Sequence, residues 1–301
     1  MEKRTLYGTE MTVSKLCMGT VNFGTTLTQD QAHAHLDRFM EHGGNFLDTA
    51  HVYNDWISGE KSRSEKIIGR WLKHQNRREV ILCTKGGHHD HACPQVSRVT
   101  PEQFRIDLAE SLEYLQTDYV DLYMLHRDNP GLPVGEIMDC LSEFVQDGRV
   151  RYLACSNWTA ARTAEANAYA KRTGKPIFAV NELMWSMAAI NKDAIPSDYV
   201  AVDDDMLRLG RETGLNFMCF TALAKGYFTR RYAGKPLTDG QHRTYDNAIN
   251  ERQFEYLRGL ESSEAVTRAC LRYFDAQDVT AIPIVSCSSM EQLMECIRAF
   301  A

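Results

Sequence analysis

EVILCTKGG, residues 79–87, and VDLYMLHRD, residues 120–128, decide the fold. In each, a run dominated by apolar residues gives way abruptly to charged or polar ones, at Lys85 in the first and His126 in the second. A strand that is apolar at consecutive positions is covered on both faces, which is the condition of a parallel sheet. Six more runs of this kind follow the same rule: LCMGT near Gly19, NFLDTA to Ala50, YLACSN to Asn157, FAVNELMW to Trp185, NFMCFTAL to Leu223 and TAIPIVSC to Cys287. Amphipathic stretches fill the gaps. Helices are expected over Thr28–Gly43, which opens on a Thr cap and closes on glycine, and from Thr100, with Pro101 in its first turn. Thr159–Thr173, Asp203–Thr213, Ser263–Gln277 and a stretch starting near Met290 complete the set. Eight strand-then-helix units without a compositional break predict one α/β domain over residues 1–301, a (β/α)8 TIM barrel. A doubly wound sheet would place a glycine fingerprint after an early strand, and MGTVNFG (18–24) lacks that spacing.

Two segments extend a minimal barrel. RTLYGTEMTVSKL (4–16) predicts an N-terminal β-hairpin capping the bottom, and residues 226–261 form a long loop after strand seven, expected to hold one short helix over a cofactor. The chain closes just after its last helix, so no long tail is expected over a substrate pocket. The net charge of −6, with no basic stripe, argues against nucleic acid as a partner. With no leader expected and no long apolar segment in the sequence, no membrane partner is expected. Nine cysteines lack any CxxC pair, and Cys83, Cys155, Cys219 and Cys287 lie in apolar runs, so reduced thiols and a cytoplasmic setting are expected.

The chemistry concentrates on Asp48, Tyr53, Lys85 and His126. If consecutive parallel strands end there, the four converge on one rim, a set suited to delivering a proton to a carbonyl without a metal. A free tyrosine has a pKa of about 10, and a neighbouring ammonium favours its phenolate. A carboxylate holds that ammonium, and a histidine can fix the carbonyl oxygen. Each residue also has a plain reading: Asp48 a strand-end cap, Lys85 its ion-pair partner, His126 a loop histidine, Tyr53 a surface aromatic.

In these four contexts the sequence resembles the aldo-keto reductase family, whose tetrad is Asp, Tyr, Lys and His in this order. KLCMGTVNFG, GGNFLDTAHVY, CSNW and FTALAKGYF extend the likeness over nearly the whole chain. The resemblance implies hydride transfer between a nicotinamide cofactor, NADP by default and NAD possible, and a carbonyl or alcohol substrate: an aldehyde, a ketone or a sugar. Tyr53 is then the general acid, Lys85 lowers its pKa, Asp48 holds Lys85 and His126 orients the carbonyl. Gly19, Thr20 and Asp48 fall at the cofactor, with Ser156 and Asn157 at the carboxamide, Phe220 stacked on the ring, and Thr221, Leu223, Lys225 and Gly226 along the pyrophosphate. Ser286, Ser288 and Gln292, with Ser289 and the last helix's N-terminus, fall at the adenosine end. Asn22, Phe23, Trp56, His126 and Trp158 are the substrate-side expectations, with His51, His88 and Trp185 also placed at the mouth.

Two departures matter. Glu182 stands where the family usually has Gln, and an extra carboxylate beside the ring favours the oxidised, positively charged nicotinamide. Ser288 and Cys296 replace a basic residue and an Asn, which loses a bidentate phosphate contact and makes NADH use more plausible than usual. A second implied class is a nicotinamide-binding regulatory subunit with weak or no turnover. A third is a metal-dependent barrel hydrolase through His51, His88 and His91. Adjacent histidines in HHDH (88–91) cannot readily face one ion, so no metal is expected. Substrate, reaction direction and oligomeric state are open at this stage.

Overall fold

The structure, a computed structural model, describes all 301 residues. Strands β1 (Lys3–Thr5) and β2 (Thr12–Ser14) form an antiparallel hairpin. Eight further strands close into a parallel barrel: β3 (Cys17–Gly19), β4 (Phe46–Asp48), β5 (Ile81–Gly86), β6 (Val120–Leu125), β7 (Val150–Ser156), β8 (Phe178–Met184), β9 (Asn216–Phe220) and β10 (Ala281–Val285). They pair in sequence order, and β10 closes the ring on β3.

The two-residue period of a strand sorts each run into an inner and an outer set. Phe46, Cys83, Leu122, Met124, Ala154, Val180, Met218 and Ile282 pack together inside the barrel. Leu47, Leu82, Tyr123, Leu125, Leu153 and Cys155 face outward into a larger core shared with the helices. Following the inner set two residues further leads from Phe46 to Asp48, from Cys83 to Lys85 and from Met124 to His126. The same step leads from Ala154 to Ser156, Val180 to Glu182 and Met218 to Phe220. The pleat therefore delivers six polar or aromatic side chains to one end of one interior.

The other end is sealed by the hairpin, whose Leu6, Met11 and Val13 are buried against that inner set. Asn45 and Asn216, at the starts of β4 and β9, tie it down. Ser14 N donates to Asn45 Oδ1 at 2.7 Å and Tyr7 N donates to Asn216 Oδ1 at 2.9 Å.

The outer layer comprises α1 (Gln29–Glu41), α2 (Arg63–Leu72), α3 (Pro101–Leu115), α4 (Val134–Gln146), α5 (Ala160–Thr173) and α6 (Asp204–Thr213). The segment after β9 holds α7 (Tyr227–Tyr232), α8 (Asp239–Tyr245) and α9 (Ala248–Leu257); α10 (Ser263–Arg272) and α11 (Met290–Arg298) flank β10. Thr28 caps α1 in a reciprocal capping box, and Thr100, Thr159, Asp203 and Ser262 cap α3, α5, α6 and α10.

Three sequence expectations are corrected. Helices α2 and α4 were not read. Ser62 and Glu65 spell a capping box before α2, yet Ser62 has φ of 52° and makes no capping bond, and Pro133, the residue before α4, makes none either. The segment 226–261 holds three helices, not one. Their apolar faces (Tyr227, Phe228, Tyr245 and Leu257) share a core with Met184 and Val266, and Asn250 Oδ1 accepts from Ala189 N at 2.8 Å. Finally, α10 stops at Arg272 and a 3-10 turn, Tyr273–Ala276, continues in place of the helix expected to Gln277.

Candidate active site

Lys85 is fully buried, and its ammonium is the hub of the rim. Nζ donates to Asp48 Oδ1 at 2.5 Å, to the Thr49 carbonyl at 3.1 Å and to Tyr53 Oη at 3.2 Å. Tyr53 sits in the turn after β4, where its amide donates to the Ala50 carbonyl. His126 follows β6, its amide donating to the Gly86 carbonyl at 2.8 Å, and its ring meets that of Tyr53 edge-on with centroids 5.9 Å apart. Glu182, from β8, brings a second carboxylate to within 3.4 Å of Lys85 Nζ.

Burial works to discharge Lys85, but Asp48 and Glu182 outweigh it and keep the ammonium charged. The Tyr53 phenol departs from the sequence expectation. Lys85 does pull it down, yet loss of water, with Asp48 and Glu182 close by, pushes it above the ordinary tyrosine value. In this environment Tyr53 holds its proton and is an acid, not a standing phenolate. Burial, then the nearby Arg127 charge, lowers His126 well below the usual range, so its imidazole is neutral. Burial and Asp48 raise the Glu182 carboxyl to about 8.

Asp48, Tyr53, His126 and Glu182 form the floor of a cavity of about 1000 Å3, with Lys85 buried behind them. Ser156, Asn157, Glu182 and Phe220 line it beside Asp48, Tyr53 and His126; Thr221, Leu223, Lys225 and Gly226 carry it along the loop after β9; and Ser286 and Gln292 bound its far end. Trp56 stands at the mouth, 48% exposed and edge-on to His91 at 5.6 Å.

Other expected contacts are elsewhere. Phe23 is buried in the outer core, and Trp158 is fully buried, its ring against Phe178 and its Nε1 donating to the Arg127 carbonyl at 3.2 Å. Trp185 likewise packs on Phe217, Tyr273 and Phe274 outside the barrel. Asn22 is spent on the Ser286 carbonyl at 3.3 Å. The Thr20 hydroxyl donates to the Asp48 carbonyl at 2.9 Å and is sealed from the cavity. Gly19 is a packing glycine: a Cβ there would lie 2.6 Å from Ser286 Oγ. Ser288 does not line the cavity; its hydroxyl and amide both donate to Gln292 Oε1 at 3.0 Å. His51 turns to Glu110, with Nε2 2.7 Å from Oε2, and borders a smaller cavity of about 230 Å3. No group of three or more His, Cys, Asp or Glu side chains is arranged to hold a metal ion.

Several lining residues escaped the sequence reading. Val21 replaces Thr20 at the wall, and Arg127 reaches the mouth over the Tyr199 ring while its Nε donates to Asp198 at 2.7 Å. Lys235 and Arg230 add cations near Lys225, whereas Glu291 and Glu295 of α11 face the same end. Only their position inside the segment after β9 or next to Gln292 hinted at them.

The rim is also where the backbone is strained. Of seven non-glycine residues with positive φ, six follow barrel strands at this end: Asn54, Ser62, Asn157, Thr221, Ala224 and Lys225. Three buried polar atoms without a partner belong to residues that line the cavity there: His126 Nδ1, Glu182 Oε2 and Thr221 Oγ1.

Residues 15–301 match the sequence model of the aldo/keto reductase family. The chain belongs to that family. Among aldo-keto reductases it is 27% identical to norsolorinic acid reductase B of Dothistroma septosporum over 306 residues, covering 95% of this chain and 74% of that protein. It is 26% identical to the aldo-keto reductase ausK of Aspergillus calidoustus over 314 residues, 96% of this chain and 75% of that one. It is 27% identical to an uncharacterized oxidoreductase, YrpG, of Bacillus subtilis over 317 residues, 99% and 91% of the two chains. Membership makes this an oxidoreductase acting on carbonyls, in a family that generally uses NAD(P)H. The cavity suits such a dinucleotide. It has unpartnered polar atoms at its floor, an aromatic wall in Phe220 and a cationic side chain, Lys225, partway along.

Proposed function

We propose that this chain, as one barrel domain over residues 1–301, reduces an aldehyde, ketone or sugar carbonyl, or oxidises the corresponding alcohol, with NADP(H) or NAD(H). Tyr53 serves as the acid–base group. The observation that carries this reading is Lys85 Nζ, buried behind the floor of the large cavity and held between two residues that line it, Asp48 Oδ1 at 2.5 Å and Tyr53 Oη at 3.2 Å. A bound nicotinamide dinucleotide supplies or accepts the hydride. Ser156, Asn157 and Glu182 are placed to hold its carboxamide end, Phe220 to lie against the ring, and Thr221, Leu223, Lys225 and Gly226 to follow the phosphates. Ser286 and Gln292 remain for the adenosine.

The protein's own part is the proton. As negative charge develops on the carbonyl oxygen, Tyr53 gives up its Oη proton, and the adjacent ammonium balances the phenolate left behind. Asp48 keeps Lys85 charged and aimed. Neutral His126 donates a hydrogen bond to the same oxygen without competing for the proton. In the reverse direction the phenolate takes the alcohol proton.

On the substrate side, Trp56, His91, Val21 and Val52 make a wall suited to an aromatic or otherwise bulky carbonyl. The nine free thiols accord with a cytoplasmic setting, and no helix is long and apolar enough to cross a membrane.

The test is oxidation of NADPH, and separately NADH, with a reactive aromatic aldehyde, using wild type and Tyr53→Phe. The variant should lose about 10²–10⁴-fold in kcat, the worth of a positioned acid. Unchanged turnover in it would remove Tyr53 from the role.

A further inference from the structure

Glu182 is an ionisable group on the cavity floor that has no counter-charge of its own. It lies in β8, level with Ser156 on one side and Met218 on the other, and is 4% exposed. Its Oε2 has no hydrogen-bond partner. The nearest cation is Lys85 at 3.4 Å, but that ammonium is already matched by Asp48 at 2.5 Å. The titratable groups that face it are few. They are Asp48 of β4, Lys85 and Cys83 of β5, Tyr53 of the turn after β4, Cys17 of β3 and Cys219 of β9, with His126 across the floor. Lys85 is the only one carrying positive charge. Arg127, which also lines the cavity, is paired with Asp198. One ammonium therefore serves two buried carboxylates, and one negative charge is in excess.

An uncompensated carboxylate in a water-poor site has two ways out: it takes up a proton, or a cation moves in beside it. Glu182 lines the same floor as Asn157, Phe220 and Tyr53, where the reacting ring of the cofactor is placed under the function proposed above. The oxidised nicotinamide ring is a cation and the reduced ring is neutral. We propose that Glu182 links proton release to binding of the oxidised form of the cofactor and not to binding of the reduced form. Against the oxidised ring it is the carboxylate that completes the charge balance. Against the reduced ring it is the neutral carboxylic acid. Oxidised cofactor then expels a proton on binding and reduced cofactor does not, so rising pH favours the oxidised form. The raised carboxyl of Glu182, at about 8, brings this exchange within reach of ordinary buffers. Gln at this position would offer an amide to the ring but carry no charge and no proton.

The inference rests on the dinucleotide-binding reading, and its test separates the two. Dissociation constants of NADP+ and NADPH are measured by fluorescence on wild type and Glu182→Gln from pH 6 to pH 9, without turnover. The 2′-phosphate and adenine titrate alike in both forms and cancel in the ratio of the two constants. In wild type, Kd of the reduced form over Kd of the oxidised form should rise about tenfold across this range, the effect of a one-unit displacement of one carboxyl. In Glu182→Gln the ratio should be flat. Calorimetry on wild type alone, in two buffers of different ionisation heat at pH 8, should show proton release with NADP+ and none with NADPH, whether or not the variant folds. A flat ratio in wild type, the same slope in the variant, or no difference in proton release would overturn the inference. Failure of either protein to bind any nicotinamide dinucleotide would overturn the function itself.

Discussion

The two ends of this barrel obey different rules. At the hairpin end, buried polar groups are paired: Asn45 accepts from Ser14 N and donates to the Thr12 carbonyl, and Asn216 bridges Tyr7 and the Ala179 carbonyl. None of the buried side-chain atoms without a partner belongs to Ser14, Asn45 or Asn216. At the opposite rim, the same strands end in positive-φ residues, a shared ammonium and open donors and acceptors. The inner apolar layer that separates them is common to both. The difference teaches where stability and chemistry are stored: one end is satisfied by the chain itself, and the other is left to be satisfied by what binds.

That contrast can be broken by substitution at either end. Tyr53→Phe should remove about 10²–10⁴-fold of kcat while leaving the urea midpoint close to wild type, because the ring still packs and Lys85 Nζ keeps Asp48 Oδ1 and the Thr49 carbonyl as partners. Leu6→Ala should do the reverse: chemical denaturation should show a loss of about 2–5 kcal/mol from the cavity it leaves, with kcat per folded molecule unchanged. If Leu6→Ala lowered kcat in fully folded protein, the ends would be coupled and the division would fail. Asn45→Ala is a milder version, expected to cost about 1–3 kcal/mol because the Ser14 amide loses its partner. Smallest is Thr221→Gly, at a β-branched residue held at φ of 54° with an unpartnered hydroxyl. Glycine there should stabilise by about 1 kcal/mol in denaturation while weakening dinucleotide binding in fluorescence titration. A loss of stability instead would mean that Thr221 is not strained for function.

Much of this was legible because a barrel turns sequence position into spatial position. Asp48, Lys85 and His126 each follow a continuous apolar run, and a strand period of two is enough to send all three inward at the same end. Glu182 stands two residues past Val180 by the same logic, so its place on the floor was readable from the pattern. What it does to its neighbours was not. The direction of the Tyr53 shift depends on how far water is excluded and on a second carboxylate near Lys85, distances that no linear spacing encodes. Trp158, Phe23 and Thr20 were misassigned for a related reason. Each lies just beyond a strand, where the turn and not the pleat decides which way a side chain faces. Helices α2 and α4 make no capping bond at their starts, and the three helices after β9 are short, with apolar faces that close on one another and on residues distant in the chain such as Met184 and Ala188.

Lys85 also joins two stretches of chain with separate duties. Asp48, Thr49 and Tyr53, its hydrogen-bond partners, come from the first half of the sequence, as does His126. The groove that runs away from them, from Ser156 to Gln292, comes from the second. Glu182 alone crosses from that second half to touch the ammonium. In a chimaera joining residues 1–150 of this protein to the latter half of a relative, proton chemistry and cofactor choice would be inherited from different parents. Position 182 would be the point at which the two inheritances have to agree.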